Sequence, residues 1–276
     1  MTFGQNSDSM KYKILCSDLD GTLLSSKSDV SDFAISELER IRDKTQIILV
    51  SARMPRAMVY LQRRLGILDQ PIVCYNGALV MHGTIEISST VIEMQHLSEI
   101  HNLAQLHFTK LGLYYADEWF VEENTARVRK EIRYTQSTPI FRATSDTLKD
   151  WEDREIGAHK VMLMGTKVTS DILYPLLEKQ FGDDLHLYRS NDTLIEIAPK
   201  SVSKLTAIKN LLKKDESLSD VIAFGDNYND IEMLEHCGYG VAVGNAREEV
   251  KAIADNTTLP HYEDGVAQFI KEHLEG

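Results

Sequence analysis

The strongest constraint in this sequence is a set of short runs that are apolar on every side, spaced by helices with a single apolar stripe. Residues 13–16 and 46–50 read as strands without a polar face, and such strands belong in a parallel sheet with helices on both faces. Between them, residues 31–44 carry Ala34, Leu38 and Ile41 at the i, i+4, i+7 spacing of an amphipathic helix. Residues 55–65 predict a second helix, ended by Gly66, and residues 71–75 a third strand. The alternation returns at the other end, with a helix over 201–214, a strand over 220–224 and a helix over 230–236 stopped by Gly238. A strand over 240–243 and helices over 246–254 and 265–274 follow. The pattern predicts an α/β fold with a Rossmann-like parallel sheet.

The middle of the chain interrupts it. Residues 78–87 read as a hairpin around His82-Gly83, an antiparallel signal. A helix is expected over 96–111, strands near Tyr114 and Phe120, and a basic helix over 124–134. After a less regular stretch containing Trp151 come a strand over 160–164, a helix over 170–181 and strands over 184–189 and 193–197. This organisation predicts a flexible leader over 1–10, a core built from 11–82 and 190–276, and an inserted α+β module over 83–189. The hinges are expected near 82–84 and 189–192.

Composition narrows the functions available. The chain has 276 residues and 43% apolar content, enough for packed cores. Its 42 carboxylates against 30 Lys plus Arg give a formal charge of −12, and the cations are scattered. Such a chain repels nucleic acid backbones and anionic membrane surfaces. No apolar run approaches the roughly 20 residues needed to span a bilayer. Cys16, Cys74 and Cys237 are odd in number and widely spaced in apolar surroundings, so they read as reduced core residues of a cytoplasmic protein, without metal-binding spacing.

In an open parallel sheet, ligands gather beyond the carboxyl ends of the strands. The first predicted strand runs into Asp18-Leu19-Asp20-Gly21-Thr22, the second into Ser51-Ala52-Arg53, and the strand through Ile222 into Gly225-Asp226-Asn227-Tyr228-Asn229-Asp230. Lys204 lies near the start of the helix that follows Ile197. Carboxylates converging on one rim repel each other unless a cation joins them, which predicts a hard divalent ion, Mg2+. Each residue also has a plainer reading. Asp18 to Thr22 forms a good turn, Asp226 and Asp230 suit a helix start, Ser51 suits a cap, and Lys204 competes with Lys200 and Lys209.

Asp18-Leu19-Asp20-Gly21-Thr22-Leu23-Leu24 after a buried strand resembles the first motif of the haloacid dehalogenase superfamily, and Gly225-Asp226-x-x-Asn229-Asp230 resembles its fourth. Ser51 stands where the superfamily has its second-motif hydroxyl, and Lys204 where it has its third-motif lysine. Asn76-Gly77-Ala78 and His261-Tyr262-Glu263-Asp264-Gly265-Val266 are similar to the Cof-type subgroup, whose large α/β cap is inserted between the second and third motifs. Ala52 and Leu205 stand where that subgroup usually has Gly; Ala52 retains the backbone N–H that phosphate binding needs.

The resemblance implies a Mg2+-dependent phosphatase acting on a small phosphorylated metabolite, such as a sugar phosphate or phosphorylated cofactor. Asp18 would be the nucleophile that forms an aspartyl-phosphate, and Asp20 the general acid and base. Asp18, the Asp20 carbonyl and Asp226 would hold Mg2+, with Asp230 orienting the metal shell. Ser51, the Ala52 N–H, Lys204 and Asn229 would hold phosphoryl oxygens. The cap would close over the site and select the alcohol half of the substrate. Two alternatives share these residues: a phosphosugar mutase of the phosphomannomutase kind, and a non-catalytic phosphometabolite sensor. Arg127, Arg129, Lys130 and Arg133 read as a solvated helix face, and Tyr114, Tyr115, Trp119 and Phe120 as packing between cap and core.

Overall fold

A computed structural model describes residues 12–25 and 29–276 of the chain, so the expected leader over 1–10 lies outside the described residues. In chain order the strands are β1 (Ile14–Ser17), β2 (Gln46–Val50), β3 (Pro71–Cys74), β4 (Leu79–His82), β5 (Ile85–Ser89), β6 (Lys110–Tyr115) and β7 (Glu118–Val121). Then follow β8 (Ile140–Phe141), β9 (Lys160–Met164), β10 (Leu185–Asn191), β11 (Leu194–Pro199), β12 (Val221–Gly225), β13 (Tyr239–Ala242) and β14 (Asn256–Thr257). The helices are α1 (Asp32–Ile41), α2 (Arg56–Leu65), α3 (Met94–Leu106), α4 (Ala126–Thr135), α5 (Thr144–Asp153), α6 (Lys167–Phe181), α7 (Lys204–Leu211), α8 (Ile231–His236), α9 (Glu248–Ile253) and α10 (Gly265–His273).

An eight-stranded sheet runs in the order β14-β13-β12-β1-β2-β3-β4-β5. It is parallel from β14 through β3, and the β4–β5 hairpin adds an antiparallel edge. Central strands β1 and β12 are buried along their whole length, as their continuous apolar character requires. Their pairing joins the two core segments, with Ile14 opposite Val221 and Ser17 opposite Phe224. The chain order is thus interrupted and the sheet is not.

The second sheet has six strands in the order β10-β11-β9-β6-β7-β8. Alternation along its strands sorts two faces. Leu113, Phe120, Val161, Leu163, Ile195 and Ile197 pack with Leu97, Trp151 and Leu173 of the covering helices. Tyr114, Trp119, Met162 and Leu194 turn the other way and join the apolar cluster of the core. Tyr114 and Trp119 stack at 5.4 Å and pack between the two sheets, whereas Tyr115 and Phe120, expected there too, pack on the other face of the second sheet. Among the described residues no helix is long and apolar enough to cross a membrane.

Sheet membership corrects the expected boundaries at 82/83 and 189/190. The hairpin β4–β5 belongs to the core sheet, so the core continues to Ser89, and β10 and β11 belong to the second sheet, which continues to Pro199. The chain crosses at residues 90–93, where Ile92 bridges to Ala158, and again at 200–203. Turn residues such as Gly83, at φ +59°, and Asn191 reverse a hairpin here, and their chemistry is the same as at a hinge. The helix expected over 96–111 ends at Leu106, because Leu111 is needed on β6, and a positive φ at Phe108 makes the turn between them.

Local signals at the other helices act as expected. Gly66 adopts a left-handed conformation at the end of α2, and Ser203 caps α7 by accepting from the Thr206 N–H. Gly77 has φ +106°, and a Cβ there would lie 2.3 Å from the Ser203 carbonyl oxygen. That close approach seats the start of α7, and with it Lys204, against the turn after β3. Gly77→Ala is therefore expected to cost roughly 2 kcal/mol or more in urea unfolding; an unchanged midpoint would show that the contact relaxes freely.

Candidate active site

The site forms where β1, β2 and β12 end. After Ser17 the chain leaves the sheet in one irregular turn, Leu19–Leu23, in which Asp20 has φ −79° and ψ 104° and Gly21 has φ +93°. Gly21 is required sterically as well, since a Cβ would sit 2.6 Å from Asp226 Oδ2. The turn separates the two acids. Asp18 stays buried at the sheet end, while the side chain of Asp20 is about half exposed, at 48%.

Lys204 reaches from the start of α7 to both sides of this rim. Its Nζ donates to Asp18 Oδ1 and to Asp230 Oδ1, each at 2.6 Å, and all three side chains are buried. Asp230 uses its other oxygen to accept from the Asp226 and Asn227 N–H groups at 2.9 and 3.0 Å. Thr22 donates to Asp226 Oδ1 at 3.0 Å. Carboxylate oxygens of Asp18, Asp226 and Asp230 fall within 4.8 Å of one another. Asp18 Oδ2 is buried and, among the described residues, has no hydrogen-bond partner.

Three carboxylates around one ammonium leave an excess of negative charge, and the proton affinities reflect it. Burial pushes the Asp18 carboxyl well above the ordinary range, Lys204 opposes this, and Asp230 and Asp226 add to it. Asp226 is pushed up to about 6, first by burial and then by Asp230. Burial favours the neutral amine of Lys204, but the two carboxylates outweigh it and hold the group above the usual lysine value. A hard divalent cation fits this oxygen-only donor set and would remove the repulsion.

Asp20 points elsewhere. Both of its oxygens accept from Arg53, at 2.7 Å each, in a bidentate fork. Arg53 is buried and also donates to Tyr60 Oη at 3.2 Å. The carboxylate of Asp20 is therefore not part of the acidic cluster formed by Asp18, Asp226 and Asp230. Ser51 Oγ accepts from the Arg53 N–H at 3.2 Å, and Asn229 Nδ2 donates to Asn76 Oδ1 at 3.0 Å.

A cleft of about 520 Å³ opens above the rim. Asp18, Asp20, Ser51, Ala52, Asp226 and Asn229 line its floor, and Tyr174, Leu187, Tyr188, Arg189 and Glu196 of the second sheet and its helix α6 form its far wall. Of the eight expected site residues, Asp18, Asp20, Ser51, Ala52, Asp226 and Asn229 line this cleft, while Lys204 and Asp230 lie beneath them. Leu205, where a Gly was expected, is buried in the core and leaves Lys204 in contact with both acids. Sequence reasoning missed Arg53, Asn76, Arg247 and the wall residues. Arg53 and Asn76 had legible signals, one in its place directly after Ser51-Ala52 and the other in the Asn76-Gly77-Ala78 motif.

Comparison with known proteins agrees with this geometry. The model of the haloacid dehalogenase-like hydrolase family matches residues 15–270. The chain is 32% identical over 288 residues to pyridoxal phosphate phosphatase YbhA of Escherichia coli, covering 96% of this chain and all of that protein. It is 26% identical over 292 residues to 5-amino-6-(5-phospho-D-ribitylamino)uracil phosphatase YitU of Bacillus subtilis, covering 96% and 98%. A crystal structure of a haloacid dehalogenase-like hydrolase from Bacteroides thetaiotaomicron superposes with a TM-score of 0.85 at 29% identity, covering 95% of this chain and 99% of that one.

The electrostatics predict the effect of removing the shared ammonium. Lys204→Ala leaves buried carboxylates unpaired and is expected to cost about 3–5 kcal/mol in urea unfolding at neutral pH without divalent metal. The deficit should shrink as pH falls, because a carboxyl whose folded pKa is raised stabilises the fold when it takes up a proton. A loss independent of pH would contradict the charge argument.

Proposed function

The chain belongs to the haloacid dehalogenase-like hydrolases, a phosphatase among them, and we propose that it hydrolyses a small phosphorylated metabolite through an aspartyl-phosphate on Asp18 with Mg2+ bound. The observation that supports this most is the shared Lys204 contact, which fixes one oxygen of Asp18 and leaves Oδ2, at the floor of the cleft, without a partner among the described residues.

In this reading Asp18 and Asp226, with the Asp20 backbone carbonyl, would hold Mg2+, while Asp230 orients that set from below through the Asp226 and Asn227 N–H groups. The ion would supply charge neutralisation for the phosphoryl oxygens. Asp18 Oδ2 attacks phosphorus, which divides hydrolysis into two displacements. Asp20, whose two oxygens Arg53 holds in the fork, would free one of them to take up a proton, give that proton to the leaving alcohol oxygen and later take one from water. Ser51, the Ala52 N–H and Asn229 would hold phosphoryl oxygens from the cleft, and Lys204 would add its charge from beneath through Asp18. The inserted second sheet acts as the cap. Its Tyr174, Tyr188 and Glu196 face the leaving-group side of the cleft, whose size suits a sugar phosphate or a phosphorylated cofactor. The three buried free cysteines accord with a cytoplasmic enzyme.

A mutase would need a second anion site in the cap. The basic helix α4 contributes no residue to the cleft, and Arg189, which does line it, pairs with Asp171 at 2.5 Å and Asp192 at 3.7 Å. A sensor without catalysis would have no use for both Asp18 and Asp20.

With Mg2+, the purified protein is expected to release inorganic phosphate from several phosphorylated metabolites, and Asp18→Asn to lower turnover on the order of a thousandfold or more while keeping cooperative unfolding. Hydrolysis of p-nitrophenyl phosphate by that variant at the parent rate would contradict the nucleophile assignment. Protons also compete with the metal at Asp226, pushed up to about 6. Apparent Mg2+ affinity should therefore fall as pH drops below that value, in activation titrations or calorimetry; a flat profile would remove Asp226 from the metal shell.

A further inference from the structure

Lys160 is the first residue of β9, in the cap, and only 7% of it is exposed. Its Nζ lies 4.6 Å from the Tyr114 ring centre and 5.9 Å from that of Tyr75. It donates at 3.2 Å to the carbonyl oxygen of Ala52, in the core. Among the described residues no Asp or Glu oxygen lies within the 4.0 Å ion-pair distance of this ammonium. Aromatic faces and one carbonyl offset only part of the cost of burying a cation.

The peptide that Lys160 grips joins Ala52 to Arg53, and its other end is also held, since the Arg53 N–H donates to Ser51 Oγ at 3.2 Å. Ser51 is itself fixed, through its N–H to the Val73 carbonyl and its carbonyl to the Asn76 N–H, each at 2.9 Å. Among the described residues the Ala52 N–H has no partner, and Ala52 lines the cleft. The cap rests on the core around this point: Tyr75 Oη donates to the Ala116 carbonyl at 2.7 Å, and the Arg56 N–H to Asp117 Oδ1 at 2.7 Å.

We infer that Lys160 is a positioning residue supplied by the cap, which sets the Ala52 turn for an anion and adds a buried positive charge whose counter-charge is the bound phosphoryl group. The inference rests on the phosphatase reading and extends it. Seating of the cap and anion affinity in the core become one property, because the same side chain serves both. A positive charge beside the turn acts through a poorly screened medium, so its removal is felt in binding. In the ligand-free protein the same charge is a burden.

The two effects have opposite signs, which makes the test specific. Orthovanadate and inorganic phosphate are bound to the full chain with Mg2+, and thermal midpoints are read without anion. Lys160→Met is expected to weaken both anions about tenfold and to leave the anion-free midpoint unchanged or raised. Lys160→Arg should restore most of the affinity. If the Met variant does not unfold cooperatively, Lys160→Gln is read in its place with the same expectation. Parental anion affinity in the uncharged variant overturns the inference, including the case of a lowered midpoint, which would mark Lys160 as an interface contact only. A parent protein that binds neither anion overturns the phosphatase reading along with it.

Discussion

Lys204 bridging Asp18 and Asp230 is the contact on which the rest of the structure depends. It joins side chains 186 and 26 residues apart in the chain, so it exists only if both core segments complete one sheet. Burying two carboxylates against one ammonium is worthwhile only if every remaining polar atom is satisfied. Asp230 meets that condition through two backbone N–H groups, and Asp18 does not, because among the described residues Oδ2 has no partner. Of the carboxylate oxygens that Asp18 and Asp230 bring to this contact, Asp18 Oδ2 is the one left over, and the proposed phosphoryl transfer uses it.

The surrounding fold can be understood as support for this arrangement. Fully apolar strands β1 and β12 place the loops that follow them side by side, Gly21 lets the first loop approach Asp226, and Gly77 lets α7 come close enough for Lys204 to reach the rim. The second sheet walls the cleft from the other side. It turns Tyr114 and Trp119 into the core cluster and presents its edge strand β10 to the cleft. Arg53 and Lys160 tie the two functions together, one aiming Asp20 and the other holding the Ala52 turn from the cap side.

Much of the core was legible because its strands are apolar on both sides and its helices begin and end on Ser203, Gly66 and similar signals. The acids were legible because they follow those strands directly. What was hidden depends on distance or on ambiguous chemistry. Gly83 and the turn after Asn191 reverse hairpins, yet the same residues suit a hinge, so the domain limits were displaced to 82/83 and 189/190. The helix α5 and the short β8 lie in a stretch without clear periodicity. The Arg53 fork on Asp20 spans 33 residues and the Lys160 contact with Ala52 spans 108, separations that no local pattern encodes.

The central claim is that the oxygen left free by Lys204 takes the phosphoryl group. The protein can be mixed with substrate and Mg2+, quenched in acid during turnover, reduced with borohydride and mapped by peptide mass spectrometry. Reduction of an acyl phosphate converts the carboxyl to an alcohol, and the account predicts that change at Asp18 and at no other acid. Turnover with an unmodified Asp18 peptide, or with the label on Asp20 or Asp226, would contradict it.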